Sequence, residues 1–179
     1  MTESTTSPGD LASTVHRVAG LLAHGGGVLT TGDLAGLRRM DPRKIDAPGF
    51  YKLVGAVLEP SLPAASQRRE LAETRWAAIV IGLAHLGRFH RPEQRLGSAL
   101  ADADFSELRF ARLLRADADR LLDEVPGLGR FLAAKGVPAD FTAAAHLLLS
   151  AGRSDEEKAR RHLARDYYGA LAQMKKTHN

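Results

Sequence analysis

Apolar residues in this chain recur at intervals of three and four, and runs of Val, Ile and Thr with the period of two expected of a strand are missing. Leu11, Val15, Val18 and Leu22 make the first helical stripe. Ser7-Pro8 suits its N-cap and first helical position, and Gly25-Gly26-Gly27 ends it. A short helix is predicted from Thr31 to Met40, and another from Phe50 to Leu58, stopped by Pro60 and Pro63. The strongest signal is a helix capped by Ser66, with Glu70 in its first turn, running to about Leu86. Ala72, Trp76, Ile79, Val80, Leu83 and Leu86 share one side of it, so Trp76 is read as a core aromatic.

The segment from Gly87 to Arg95 is read as a basic loop, followed by a short helix from Leu96 to Ala101. Asp104 is placed as the cap of a helix that turns Phe110, Leu113 and Leu114 inward and carries Arg109, Arg112 and Arg115 on its other side. The next helix starts acidic, and Pro126 is expected to kink or split it before the stop at Gly136-Val137-Pro138. Asp140 caps a helix from Phe141 to Ser150, and Ser154 with Glu157 reads as the capping box of the last one. The expected fold is therefore all-α: a compact bundle of about eight or nine helices, with no sheet. It forms one helical domain over residues 8–174, which could divide into N- and C-terminal sub-bundles. Flexible tails are expected at 1–7 and 175–179.

Length and composition narrow this further. The chain has 179 residues, 44% hydrophobic and 26% charged, which suits a folded domain rather than a disordered one. There are no cysteines, so disulfide frameworks, thiolate metal sites and thiol nucleophiles are excluded. No apolar run reaches bilayer length and the N-terminus is no signal peptide, so a cytoplasmic protein with no membrane association is expected.

The candidate chemistry is sparse. No GxSxG elbow, HExxH pair or phosphate-binding loop is present. His162 and Asp166, four apart on one helix, are the best metal pair, and they keep open an alternative, a helical metal-dependent phosphohydrolase. A purely structural protein-protein adaptor is the other. No catalytic residue, metal, cofactor or small-molecule substrate is otherwise expected. The net charge is only +4, but arginine outnumbers lysine 19 to 6, and its planar fork suits phosphate oxygens. A GC-rich gene would enrich arginine equally well, so placement carries the argument. Basic residues gather in Arg38 to Lys52, Arg88 to Arg95, Arg109 to Arg115 and the final helix, whereas acids gather in Asp117 to Glu124. That segregation predicts a basic face that tracks nucleic-acid backbone without reading bases.

Five stretches, in order and spacing, carry a resemblance: Phe50 to Val54, Arg95 to Leu100, Arg109 to Asp117, Val137 to Phe141, and Arg165 to Tyr168. Together they resemble the CasB family, the small subunit of Cascade in type I-E CRISPR surveillance complexes, from about Thr31 to Tyr168. Phe141 stands where that family often has Trp, a conservative change for packing. The resemblance implies a noncatalytic helical subunit that sits beside a second copy of itself, other Cascade subunits and crRNA. Its basic face would hold target DNA and the displaced strand and so stabilise the R-loop in antiviral defence. The positions it implies are Arg38, Arg39, Lys52, Arg109, Arg115 and Arg130, while Arg112 and Lys135 join them by helix geometry and neighbourhood.

Overall fold

In a computed structural model, described for residues 8–24 and 27–177, the chain folds around one buried helix. The Ser7 cap, Gly25, Gly26 and the N-terminal tail lie outside the described residues. The elements are α1 (Pro8–His24), α2 (Thr31–Arg39), α3 (Pro48–Leu53), α4 (Ser66–Leu86), β1 (His90–Arg95), α5 (Leu96–Asp102), α6 (Glu107–Arg115), α7 (Ala118–Lys135), β2 (Ala139–Asp140), α8 (Thr142–Ser150) and α9 (Glu156–Thr177). The all-α expectation holds, with nine α-helices among the described residues. No helix among them is long and apolar enough to cross a membrane.

α4 is the centre. From Trp76 to Leu86 every residue except His85 is buried, rather than only the one side its stripe predicts, because α1, α2, α7 and α8 all pack on it. It packs most extensively against α7, where the two backbones approach through glycine: a Cβ on Gly129 would lie 2.1 Å from the Gly82 carbonyl oxygen. α5 packs on α9 in the same way, since a Cβ on Gly97 would fall 2.7 Å from the Leu163 carbonyl oxygen. α6 is fastened to α9 by Tyr167. Its ring stacks on Phe110 at 3.8 Å between centroids, and its hydroxyl donates to the Phe105 carbonyl.

Two buried-side arginines satisfy helix C-termini whose last carbonyls have no partner within the helix. Arg75 donates to the carbonyls of Leu149 and Ala151 at the end of α8, at 3.1 and 2.8 Å. Arg160 does the same for Leu114 and Ala116 at the end of α6. These arginines are structural, although composition alone groups them with the phosphate-binding type.

Several local expectations are corrected. The absence of a sheet is overturned by a two-stranded parallel pair, in which His90 and Arg95 of β1 face Ala139 and Asp140 of β2 and β1 bulges between them. Nearly all β1 side chains face solvent, so only its backbone pairs and no alternation marks it. α3 starts at Pro48, a favoured first helical residue, and continues through a π-helical turn at Val54–Leu58. Ser66 is the first residue of α4 and not its cap, which leaves Glu70 beyond the first turn.

Asp104 instead takes a left-handed corner (φ 59°), and Ser106 caps α6. Pro126 does not split α7: burial of Leu121, Leu122, Val125, Leu128 and Leu132 keeps both halves on one run of helix. α9 begins at Glu156, whose carboxylate accepts the Gly152 N–H at 2.6 Å, in place of a Ser154 box. It continues to Thr177, so Lys175 and Lys176 are helical, where positive charge favours a helix C-terminus.

Candidate nucleic-acid interface

The groove that matters is built where α2 ends. Thr30 and Asp33 close a capping box at the start of α2, Leu37 fixes its buried side, and Arg38 and Arg39 fall in the last turn, where the helix dipole favours cations. The chain then turns through Asp41, Pro42 and Arg43 and faces α7. The resulting open groove, of about 530 Å³, has Arg38, Arg39 and Arg43 on one wall, Asp123 and Arg130 on the other, and Ile81 of α4 among its lining residues. Three of the predicted residues, Arg38, Arg39 and Arg130, are thus brought together from distant parts of the chain.

Their electrostatic states differ. Arg38 is anchored, donating from Nε to the Ala84 carbonyl at 2.8 Å, which leaves the outer nitrogens of its fork free to face solvent. Arg39 and Arg130 are exposed and hold no hydrogen bond or ion pair among the described residues. Arg43, absent from the predicted set, forks across α7: it donates to Asp123 at 2.8 and 3.1 Å and to Asp119 Oδ1 at 3.1 and 3.3 Å. These bonds hold the Asp123 carboxyl below the usual carboxylate range. Beside the groove, His85 is pushed below the ordinary histidine range, first by burial and then by the positive charge of Arg130. With four arginines against Asp41 and Asp123 in the lining, the groove has a net charge of +2.

A second group lies on α6. Burial of Phe110 and Leu113 turns Arg112 and Arg115 outward, and both are exposed and unpaired among the described residues. The Arg109 guanidinium lies over two aromatic rings, 4.6 Å from the Phe105 centroid and 5.1 Å from that of Phe131, an arrangement worth about 0.5–1 kcal/mol at an exposed site. Lys135 reaches Asp104 at 4.0 Å. Arg109 and Lys135 therefore tie the second half of α7 to the corner before α6, and Phe131 follows Arg130 directly on α7.

Lys52 stands apart. Its ammonium is 2.7 Å from Asp33 Oδ2, and that bond, with the Thr30 backbone N–H, holds the Asp33 carboxyl down at about 2. Nothing places it in the groove.

The expected segregation of acids from bases is also revised. Asp119 and Asp123 do not sit apart but pair with Arg43, while Asp117 caps α7 and Glu124 pairs with Arg120. In the basic stretch before α5, Arg95 is bound to Asp166 at 3.0 Å and Arg91 donates to the carbonyls of Arg88 and His90. The His162–Asp166 pair accordingly does not assemble as a metal site: Asp166 is committed to Arg95, and His162 faces solvent.

The fold and its groove define a helical protein that gathers arginine side chains from α2, α7 and the turn after α2 along one open groove. Residues 33–168 match the family model described as CRISPR-associated protein Cse2, and the chain belongs to that family. Solved structures agree in fold. A chain of a CRISPR RNA-guided surveillance complex superposes with a TM-score of 0.68 at 21% identity, over 96% of this chain and 99% of that one. CasB from Thermobifida fusca gives 0.65 at 18%, over 91% and 98%. A chain of E. coli Cascade bound to a PAM-containing dsDNA target gives 0.61 at 22%, over 88% and 96%. No curated protein sequence matches the chain.

Proposed function

We propose that this chain is a noncatalytic small subunit of a Cascade-type surveillance complex and holds DNA backbone through the groove between α2 and α7 and through the outer face of α6. The observation that carries the reading is the convergence of Arg39 and Arg130, both unpaired, beside the free side of Arg38, with unpaired Arg112 and Arg115 on α6. Family membership supports the assembly, and the DNA-bound Cascade chain supports the ligand class. Arg109 and Lys135 act mainly by fixing α6 against α7, and Lys52 by holding α2. In this reading the partners are target and displaced DNA strands, the crRNA-containing complex, its other subunits and a second copy of the chain. R-loop formation is nearly balanced in base-pairing energy, so a few backbone contacts are enough to tip it.

The test is the salt dependence of single-stranded DNA binding, followed by fluorescence anisotropy. Removing one arginine–phosphate pairing should reduce the slope of log K against log salt by roughly 0.7. Arg39→Ala with Arg130→Ala is expected to lower it by about 1.4. An unchanged slope and affinity would support the adaptor alternative instead.

A further inference from the structure

Away from the groove, α1, β1 and β2 meet at three side chains that the DNA-binding reading leaves unused. His16 Nε2 lies 3.7 Å from Asp140 Oδ1, and His90 completes the group, with one candidate ligand atom from each residue all within 4.8 Å of one another. The two imidazoles are tilted by 51° with centroids 5.1 Å apart, so they are not stacked. The Nε2 atoms of both His16 and His90 are buried with no hydrogen-bond partner among the described residues, a cost of about 1–3 kcal/mol for each stranded polar atom. The carboxylate is already oriented, since Asp140 Oδ1 accepts the Thr142 N–H at 2.9 Å.

We propose that His16, His90 and Asp140 form a three-ligand zinc-type site, with water in the fourth tetrahedral position, that clips α1 to the strand pair. Bonds of about 2.0–2.2 Å from a tetrahedral ion put neighbouring ligand atoms some 3.3–3.5 Å apart, and the His16–Asp140 separation is close to that value. Closing the widest gap takes a shift of the order of 1 Å. Two imidazoles and one carboxylate suit a borderline first-row ion, and disfavour calcium or magnesium, which take oxygen ligands.

Loading carries a definite cost. His90 Nδ1 accepts the Phe141 N–H at 3.3 Å, so in the free ring the proton sits on Nε2. Either the metal takes the Nδ1 lone pair, or the proton moves to Nδ1 as Nε2 ligates. Both routes give up that long hydrogen bond, so the affinity falls below that of a fully prearranged site.

Titration of the full chain with Zn2+ by calorimetry, together with thermal melts, tests the site. One equivalent should bind saturably and raise Tm. His16→Gln and Asp140→Asn should each weaken uptake more than about tenfold (about 1.4 kcal/mol) and remove the Tm rise. Asparagine can still accept the Thr142 N–H, so the fold is retained, and a metal-free melt of each variant checks this. His162→Ala, which removes an exposed imidazole, should bind like the unaltered chain. Absence of saturable uptake at roughly 100 µM zinc, or equal uptake by folded His16→Gln, would overturn the proposal.

Discussion

Replacing Gly129 with alanine puts a methyl group where the α4 backbone already is. The added Cβ would lie 2.1 Å from the Gly82 carbonyl oxygen, 2.7 Å from its carbon and 2.8 Å from its Cα. Ordinary contact begins at 3.4 Å, so the helices must part by about 1.3 Å, and the opposing atoms are backbone that no rotamer change can move aside. Overpacking of this kind costs typically about 1–3 kcal/mol, and the rigidity of both partners places this site at the top of that range. Alanine's better helix propensity offsets at most about 1 kcal/mol, leaving a net loss near 2 kcal/mol. With a urea m-value of about 2 kcal/mol/M, the midpoint should fall by about 1 M. Gly127→Ala, two positions earlier on α7, is the internal control: nothing lies within 4 Å of its Cβ, so the propensity gain stands alone and the midpoint should rise by up to ~0.5 M. Because α7 carries Arg130 and Asp123, Gly129→Ala should also widen the groove and weaken DNA binding. A Gly129→Ala midpoint at or above that of the unaltered chain would refute the close-approach argument.

Three further outcomes are expected. The Asp33 carboxyl is depressed to about 2 by Lys52 and Thr30, so its contribution is complete above about pH 4 and is lost as pH falls through about 2. The Tm difference between the unaltered chain and Asp33→Asn should therefore shrink steadily across that window. Arg75→Met strands the Leu149 and Ala151 carbonyls at the end of α8 and should cost about 2–4 kcal/mol in chemical denaturation, a loss that DNA does not restore. Arg43→Ala releases the carboxylate of Asp123 at the groove wall and that of Asp119 one turn earlier on α7, so DNA affinity should fall although Arg43 itself is already paired. Adding Asp123→Asn to that variant should recover part of the loss in the same anisotropy assay.

The helices are legible in the sequence because their stripes are local: Trp76 in α4, and Phe110 and Leu113 in α6, follow spacings of three and four and are buried as expected. The strand pair is not, because nearly all β1 side chains are exposed, β2 is only two residues long, and the pairing is set by what α4 and α7 bring together. The caps expected at Ser66, Asp104 and Ser154 differ from the real helix starts by one or two residues: α4 starts after Ala65, which makes no side-chain cap bond, and Ser106 takes the cap of α6 in place of Asp104. In the candidate interface, the outward arginines of α6 can be read from periodicity, and Arg38 with Arg39 from the end of a short helix. Arg43 lies within the same basic run but cannot be singled out, because its partners Asp119 and Asp123 are 76 and 80 positions away. The ion pair of Lys52 with Asp33 is equally hidden from the sequence, since only the fold brings the start of α2 beside α3.

The parallel strand pair has a consequence for the order of folding. It closes a loop containing α5, α6 and α7, in which His90 and Phe141 are 51 positions apart. Closing a loop of that length costs roughly 3–4 kcal/mol of chain entropy. A bulged pair with two register positions, each bond worth about 1 kcal/mol net, cannot meet that cost by itself. Closure must follow the docking of α7 on α4, which places the loop ends side by side. The strands are therefore a late clasp on an assembled helix pair, and interactions there govern how fast the chain opens rather than how fast it folds.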